Sequence, residues 1–330
     1  MLRILINALR TGVVTTRYPA EPAVPPDRFR GAPVLHPGNR LPPPSVCPSG
    51  ALSERVDDSG RHVALDLARC VFCGRCAEHP WESAVTMGRD FELSARTRDD
   101  LRIEVVAEDS AFAKATADKP DAGVFPDAGA APPEGLETAR ASSAFAAPQL
   151  RRGESASAAS QLRRDKSAIE APECGRDLSE IRRVLGRSLH LRHLDAGSCN
   201  ACDWELAALL NPVYDVRRLG IDFVASPRHA DGVVVTGSVT RNLETAVHRT
   251  VEAIPDPRVV IAVGACAASG GIVGEGYASA GGADRVLPVD VYIPGCPPRP
   301  EAIIFGILVA VGRLDARRRP SLAPRQRREA

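Results

Sequence analysis

Apolar residues in the second half of the chain form short runs that are separated by stretches of helical pattern. The runs predict strands at Leu189–Leu194, Ile221–Ala225, Gly232–Thr236, Val259–Val263 and Val289–Ile293. The intervening stretches predict helices at Glu205–Leu210, Asn242–Ala253 and Pro300–Gly312. Strands that alternate with helices are typical of a parallel α/β sheet. We therefore expect an α/β domain with a parallel sheet over residues 178–315, and a buried helix at Ile303–Val311.

The first half of the chain has a weaker pattern. His62–Asp66 alternates as a strand does, and Phe91–Val106 mixes strand-like and polar residues, so we expect a small domain over residues 25–106. Residues 1–24 begin with apolar residues at helical spacing, namely Leu2, Leu5, Ile6 and Leu9. This amphipathic segment is expected to dock on another subunit or on its own domain, and contact with a membrane is the alternative.

Two further regions have almost no large apolar residues. Residues 107–177 are rich in Ala, Ser, Asp and Pro, and such a stretch cannot bury enough surface to offset its ordering entropy. We expect a disordered, flexible linker there, with Cys174 as a lone thiol at its far edge. Residues 316–330 are rich in arginine and predict a disordered basic tail.

Composition and charge exclude several functions and leave the cysteines as the main signal. The net charge of +1 and the 4% of aromatic residues indicate neither nucleic-acid binding nor a strongly acidic partner. No run reaches the roughly 18 apolar residues that a membrane span needs, and Met1–Gly12 has no secretory cleavage pattern. The chain has 9 cysteines, and clustered cysteines without a secretory signal indicate metal binding or redox chemistry before disulfides.

Four cysteines, the C-terminal set, follow predicted strands of the α/β domain: Cys199, Cys202, Cys266 and Cys296. The carboxyl ends of parallel strands face one crevice, so we expect these thiols to converge. Four thiolates match a [4Fe–4S] cube, which takes one at each iron. A structural zinc site also takes four thiolates and stays open on the residues alone, although zinc ribbons usually use two close pairs.

Three segments around these cysteines carry a resemblance to a known family: residues 197–205, 264–267 and 293–300. They resemble the small subunit of membrane-bound [NiFe] hydrogenases, a family that includes the B subunit of NADH–quinone oxidoreductase (complex I). Asp231–Gly237 is similar to a strand of the same family. The quinone-reductase branch typically has adjacent cysteines, whereas the Cys-x-x-Cys pair here resembles the energy-converting, formate hydrogenlyase-like branch.

The resemblance implies a flavodoxin-like fold and a [4Fe–4S] cluster that faces a large partner subunit. That partner would hold a nickel–iron site or a quinone pocket. Glu205, one helical turn past Cys202, is then a candidate for proton transfer at the boundary with the partner. The alternative is a carboxylate that only interacts favourably with the helix macrodipole.

Four earlier cysteines, the N-terminal set, are Cys47, Cys70, Cys73 and Cys76. The last three have the spacing that begins a bacterial ferredoxin run, but the fourth cysteine of that run is missing. In two-cluster ferredoxins the fourth cysteine of each run ligates the other cluster. Cys47-Pro48 has the form of the end of an earlier run, so Cys47 completes a second [4Fe–4S] set. His79 is the alternative ligand, and a [3Fe–4S] form stays open.

Residues 28–35 and 88–93 also resemble the ferredoxin-like subunit of hydrogenases and complex I. That resemblance implies a small α+β ferredoxin-like domain with one cluster where two are usual. Together the sequence predicts an iron–sulfur electron-transfer subunit of a membrane-associated [NiFe] hydrogenase-type complex with two clusters. The expected partners are a hydrogenase large subunit or a complex I D-subunit-like protein, with other iron–sulfur and membrane subunits, at the inner face of the cytoplasmic membrane.

Two alternatives to this function remain. A quinone-reducing complex I-like module would use the same clusters with a different partner. A zinc-binding assembly or scaffold protein would use the cysteines without redox chemistry. The chain has no hydrolase-like Gly-x-Ser-x-Gly arrangement, so chemistry at a substrate is expected in a partner.

Overall fold

The computed structural model of the chain describes residue 3 and residues 10–36, 41–57, 60–81, 83–107, 178–186 and 188–316. Several predictions lie outside these residues: the helical spacing of Leu2, Leu5, Ile6 and Leu9, the linker beyond residue 107, Cys174, and the tail from residue 317.

The strands of the described residues, in chain order, are β1 (Pro33–Leu35), β2 (Leu52–Asp57), β3 (Gly60–Asp66), β4 (Val85–Met87), β5 (Arg102–Ala107), β6 (Leu189–Asp195), β7 (Ile221–Phe223), β8 (Gly232–Thr236), β9 (Val259–Val263) and β10 (Val291–Ile293). The helices are α1 (Leu178–Leu185), α2 (Ala201–Ala208), α3 (Glu244–Glu252), α4 (Gly264–Ser269) and α5 (Pro300–Ala310). In this part of the chain, no helix combines the length and the apolar character that crossing a bilayer requires.

The last five of these strands form one parallel sheet in the order β7-β6-β8-β9-β10. Numbered along the chain, this is the order 2-1-3-4-5 of a flavodoxin-like sheet. The predicted flavodoxin-like α/β fold is therefore confirmed. The two central strands coincide with the predicted runs at 232–236 and 259–263, whereas α2 begins four residues before the predicted helix.

Alternate residues of the central strands pack into two different cores, as the period of a strand requires. Val234 and Ile261 pack with α5 in one core. Val233 and Val235 face the other core, which includes residues of the first half of the chain such as Leu65. Both faces of the sheet are covered, which explains why its strands are continuous apolar runs. Every residue of α5 is buried, so the buried helix predicted there is confirmed.

The first half of the chain forms two small antiparallel sheets. β1 pairs with β4, and β3 pairs with β2 on one side and β5 on the other. The sequence predicts β3 alone at its correct place. β2 has the sequence Leu-Ser-Glu-Arg-Val-Asp and is exposed after its first residue, so hydrophobic periodicity could not identify it.

The first half packs directly against the parallel sheet. Ala95 and Tyr292 exchange two backbone hydrogen bonds of 3.1 and 2.8 Å, which adds a residue to the edge of β10. Arg98 reaches across to Asp284 at 3.0 Å, and the Ser269 hydroxyl donates to the Ala68 carbonyl at 2.9 Å. The two halves thus belong to one compact unit. The predicted domain boundaries stay a prediction.

Candidate metal centres

The C-terminal cysteines lie at the carboxyl ends of three strands. Cys199 is in the loop between β6 and α2, and Cys202 is in the first turn of α2. Cys266 lies in the short helix α4 directly after β9, and Cys296 lies between β10 and α5. The structure therefore brings residues that are almost 100 positions apart to one edge of the sheet.

The thiols of this set lie close enough for their charges to interact. Burial raises the pKa of Cys202, and the charges of Cys266, Cys296 and Cys199 raise it further. Burial followed by the charges of Cys296 and Cys199 also raises the pKa of Cys266. Such an interaction requires short separations, because the Coulomb energy falls with distance. Cys199 and Cys296 are exposed, while the other two thiols are half-buried.

The loops of this set interlock at Gly264. Its φ is +88°, and a Cβ added there would lie 2.5 Å from the Cys202 sulfur. The amide of Ala265 donates to the carbonyl of Gly295 at 2.8 Å, which ties the Cys266 loop to the Cys296 loop. Only glycine allows both this backbone angle and this approach to the thiol.

Two aspartates hold the loop of Cys199 and Cys202 in place. Asp195 accepts hydrogen bonds from the amides of Gly197 at 2.9 Å and Ser198 at 2.7 Å. Asp203 accepts one from the Ser198 hydroxyl. It also contacts Thr236 Oγ1 at 2.6 Å and His193 Nε2 at 2.9 Å. Burial opposes ionisation of Asp203, but these hydrogen bonds and His193 lower its pKa.

The N-terminal cysteines surround a small cavity. All four thiols line it, together with Val71 and Phe72 among others. They are carried by turns and short 3₁₀ segments rather than by a sheet edge. Pro44–Val46 precedes Cys47, a turn after β3 leads to Cys70, and Arg75–Ala77 contains Cys76.

Hydrogen bonds reach the sulfurs of this set. The amide of Ala51 donates to Cys47 Sγ at 3.2 Å, and the hydroxyl of Ser49 lies 3.5 Å from the same sulfur. Burial opposes ionisation of Cys47, yet these groups and neighbouring amides lower its pKa. The amide of Phe72 donates to Cys70 Sγ at 3.4 Å, but burial raises the pKa of Cys70 to about 12. Burial and the charges of Cys73 and Cys47 raise the pKa of Cys76 to about 11.

Loops of both sets line one further cavity. Phe72 of the N-terminal loop and Cys296 of the C-terminal loop both line it. Arg299 also lines this cavity, and its guanidinium lies 5.0 Å from the ring centre of Phe29 and 5.3 Å from that of Phe91. Arg299 therefore contacts the first half of the chain three residues after a candidate ligand.

Arg299 lies among several ionisable side chains that interact with one another. Of these, sequence analysis identified Glu205 alone as a candidate functional residue. It pairs with the buried Glu301 through two contacts of 2.9 and 3.2 Å. Burial and then Glu301 raise the pKa of Glu205, while Arg299 lowers it. Tyr18, far away in sequence, donates a hydrogen bond to Glu92 at 3.0 Å. Burial and the charge of Glu92, with a smaller contribution from Glu301, raise the pKa of Tyr18. The sequence signal that could have indicated this group is Glu301, a glutamate in the first turn of an otherwise apolar helix.

The donor chemistry of both sets fits an iron–sulfur cube. Among the residues that the structure describes, no three His, Cys, Asp or Glu side chains converge as they would on a single metal ion. A cube is bound by one thiolate at each of its four irons, so its ligands surround it. His79 is exposed. The assignment of the eight cysteines as ligands stays a prediction.

Comparison with known proteins relates the C-terminal half to redox complexes. The family described as NADH ubiquinone oxidoreductase, 20 Kd subunit, matches residues 199–310. The probable membrane-bound hydrogenase subunit of Pyrococcus furiosus is 46% identical over 136 residues, which cover 41% of this chain and 81% of that protein.

Two further relatives are matched over a smaller share of their length. Formate hydrogenlyase subunit 7 of Escherichia coli is 44% identical over 137 residues, 42% of this chain and 54% of that protein. The B subunit of NADH-quinone oxidoreductase from Rubrobacter xylanophilus is 51% identical over 102 residues, 31% of this chain and 41% of that protein. The chain thus spans about half the length of these two relatives.

The match that covers 81% of the Pyrococcus furiosus subunit establishes the family, and the residues that the family model matches include all four C-terminal cysteines. Proteins of this family are subunits of oxidoreductase complexes and typically bind an iron–sulfur cluster. The resemblance inferred from the three cysteine segments is confirmed. The chain belongs to the family of the 20 Kd subunit of NADH ubiquinone oxidoreductase, which includes membrane-bound hydrogenase subunits.

Proposed function

We propose that this chain is the iron–sulfur electron-transfer subunit of a membrane-associated [NiFe] hydrogenase-type complex. Cys199, Cys202, Cys266 and Cys296 would hold one [4Fe–4S] cluster, and Cys47, Cys70, Cys73 and Cys76 a second. The observation that supports the proposal is the cavity that Phe72 of the N-terminal loop and Cys296 of the C-terminal loop both line. When bound, such a cluster takes up and releases one electron at a time.

The chain's own residues would hold both sites rigid and would shield Cys70 from water. Asp195 and Asp203 fix the loop of Cys199 and Cys202 through the hydrogen bonds described above. Gly264 lets the backbone approach Cys202 closely. In the N-terminal set, the buried Cys70 is enclosed by the turn that follows β3. Rigid ligands of this kind reduce the reorganisation that accompanies a change of charge.

The face around the C-terminal set is proposed to meet a partner. Cys199 and Cys296 are exposed, and Trp204, two residues past Cys202, is 74% exposed. The loop after Cys266 also exposes Ile272 and Val273. Large exposed apolar side chains beside a candidate cofactor site are typical of a surface that another protein covers. A large subunit with a nickel–iron site is the partner that the named hydrogenase relatives favour.

Glu205 is proposed to move protons near this face. Its pKa is raised by burial and by Glu301, so it is closer to taking up a proton at neutral pH than an exposed glutamate is. It lies one turn past Cys202 on α2. A Glu205→Gln variant tests this role if it slows the assembled complex while both cluster signals and the iron content stay as in the wild type.

A quinone-reducing complex I-like module is the second candidate. The identity of 51% with the B subunit of an NADH-quinone oxidoreductase favours it. The partner decides between the two functions. Nickel in the co-purified complex, with a large subunit that has two Cys-x-x-Cys pairs, supports the hydrogenase; reduction of a quinone by a nickel-free complex supports the alternative.

Metal analysis of the full chain tests the cofactor part of the proposal. After anaerobic purification, about eight irons and as much sulfide per chain are expected, with two electron paramagnetic resonance signals on reduction. About four irons would remove one cluster. Zinc without iron would refute the electron-transfer function and favour the scaffold alternative.

A cysteine variant tests the assignment of the N-terminal set. Cys47→Ser is expected to lose or alter the N-terminal signal and to leave the C-terminal signal unchanged. Cys174→Ser is the matched control, because Cys174 belongs to neither set, and it should retain both signals. An unchanged N-terminal signal in Cys47→Ser would show that Cys47 is not a ligand.

A further inference from the structure

The cavity of the N-terminal thiols and the cavity that Cys296 lines have two lining residues in common, Val71 and Phe72. These two residues form the short loop between Cys70 and Cys73. They therefore make up the wall between the two cavities. Phe72 has the larger side chain of the two, so it supplies most of the bulk of this wall.

The two cavities differ in their access to water. The lining of the thiol cavity includes the buried apolar side chains of Leu52 and Leu65. The lining of the neighbouring cavity includes the exposed residues Arg30 and Asp90, so water can reach it. The wall thus lies between an apolar enclosure and a cavity that is open to solvent.

Phe72 is held in this wall by an uncommon backbone conformation. Its φ is +54°, which a bulky residue seldom adopts because its Cβ is crowded there. Such a conformation persists only where the surroundings fix it. Here the amide of Phe72 donates to Cys70 Sγ at 3.4 Å, and the side chain packs against the core of the first half of the chain. The loop therefore keeps a large apolar side chain at the edge of the thiol site.

We infer that Phe72 keeps the water of the neighbouring cavity away from the N-terminal cluster, and that it thereby lowers the reduction potential of that cluster. The apolar shell around a cluster controls the access of solvent, and solvent stabilises the reduced form because that form carries an additional negative charge. The inference rests on the proposed function, since it presupposes a cluster at the N-terminal set. Phe72 acts here as a shielding residue, not as a ligand. A cluster shielded in this way gives up its electron more readily than an open one, which suits delivery to a weakly oxidising acceptor.

Pulsed electron paramagnetic resonance of the reduced, anaerobic full chain in D₂O tests this role, because it detects deuterons close to a cluster. Phe72→Ala is expected to deepen the deuterium modulation of the N-terminal signal, which Cys47→Ser identifies. A redox titration should show that the potential of the same cluster rises by about 59 mV, which is a tenfold change in a one-electron equilibrium. The C-terminal signal should keep its wild-type modulation and potential.

Phe72→Gly separates the side chain from the backbone. Glycine adopts a positive φ without strain, so this variant removes the ring and relieves the loop. It should give the same deeper modulation and the same higher potential as Phe72→Ala. It also decides by itself if the strained alanine variant fails to hold the N-terminal cluster.

The matched control is Phe29→Ala. Phe29 lines the open cavity but not the thiol cavity, so its loss should leave the modulation and the potential of the N-terminal cluster at their wild-type values. An N-terminal signal with wild-type modulation and potential in Phe72→Gly would overturn the inference alone. So would a Phe29→Ala signal that changes as much as that of Phe72→Gly. A wild-type chain without iron would instead refute the proposed function.

Discussion

The two cysteine sets, each proposed to bind a cluster through four thiols, are built from different kinds of backbone. The C-terminal set lies at the edge of a parallel sheet whose central strands β8 and β9 are completely buried. The N-terminal set is carried by turns between short antiparallel strands. The first is rigid because distant strands are packed together; the second is enclosed because a local loop folds around the thiols. The exposed C-terminal thiols are thus open to a partner, whereas Cys70 is already buried.

The largest expected difference between the two cysteine sets comes from adding one methyl group at Gly264. Gly264→Ala would place a Cβ 2.5 Å from Cys202 Sγ in a backbone of φ +88°, so the thiol must move. We expect loss of the C-terminal cluster, seen as about half of the iron, with the N-terminal resonance signal retained.

Gly276→Ala is the matched control for that variant. Gly276 lies in the loop after the same helix, and a Cβ there meets nothing within 4 Å. It should keep all the iron. Equal iron in the two variants would mean that Cys202 tolerates displacement, or that the sheet edge is less rigid than its packing indicates.

The next prediction concerns Arg299, which contacts residues of both halves of the chain. Arg299→Gln leaves the carboxylate of Glu301, which is 6% exposed, without its cation, and it removes the contact with Phe29 and Phe91. Loss of one partner of a buried ion pair costs about 3 kcal/mol. We expect that decrease in the free energy of unfolding, measured by urea denaturation.

A double variant separates the charge from the packing. Arg299→Gln combined with Glu301→Gln removes both charges and should recover most of the lost stability, because no unpaired charge stays buried. If the double variant is as unstable as the single one, the stacking of Arg299 on the two phenylalanine rings is the dominant contribution.

A smaller effect is expected in the hairpin that leads to the N-terminal set. Arg61 is 9% exposed and pairs with Glu54 at 2.8 Å, and this hydrogen bond lowers the pKa of Glu54. A lowered pKa contributes stability above the ordinary pKa of glutamate, about 4.3, and that stability is lost as the pH falls through the folded-state value. Glu54→Gln should therefore weaken protection of the β2 and β3 amides from hydrogen exchange by about 1 kcal/mol at pH 7.

The same measurement at low pH is the check on its cause. Below the folded-state pKa of Glu54 the variant and the wild type should exchange alike, since both then lack the carboxylate charge. A difference that persists there would assign the effect to packing of the glutamine side chain.

The smallest expected effect is that of Glu205→Gln, which should stabilise the protein slightly at pH 7 instead of destabilising it. Burial and Glu301 raise the pKa of Glu205, so the folded state favours the protonated form, and its contribution to stability is lost as the pH rises through that value. Glu205→Gln should therefore raise the urea midpoint slightly at pH 7 and leave it unchanged below the ordinary pKa of glutamate. A lower midpoint at pH 7 would show that the carboxylate is favourably paired.

The sequence predicts the parallel sheet well because its strands are continuous apolar runs. Val259–Val263 is buried throughout and could be located from composition alone. The cysteine sets could be grouped because three of the C-terminal cysteines mark strand ends and the N-terminal spacing is that of a ferredoxin run. The shift of α2 toward the N-terminus has a local cause: Asn200 adopts φ +67° as its N-cap, and side-chain periodicity does not report such a turn.

Contacts between distant segments could not be predicted. The pairing of Ala95 with Tyr292, the stacking of Arg299 on Phe29 and Phe91 and the burial of Glu301 depend on how the two halves pack. Among these residues, Glu301 alone has a sequence signal, as a carboxylate in an otherwise apolar helix. The hydrogen bonds that Asp203 makes with Thr236 and His193 could not be predicted either, because these two residues come from separate strands.

The backbone pairing of Ala95 with Tyr292 has a consequence for solubility. β10 is the last strand of its sheet, and the unpaired edge of such a strand is a template on which another chain can add a strand. Ala95 occupies both hydrogen-bonding positions of Tyr292. The segment around Ala95 therefore shields the sheet against edge-to-edge aggregation, and a chain that lost it would be prone to self-association through β10.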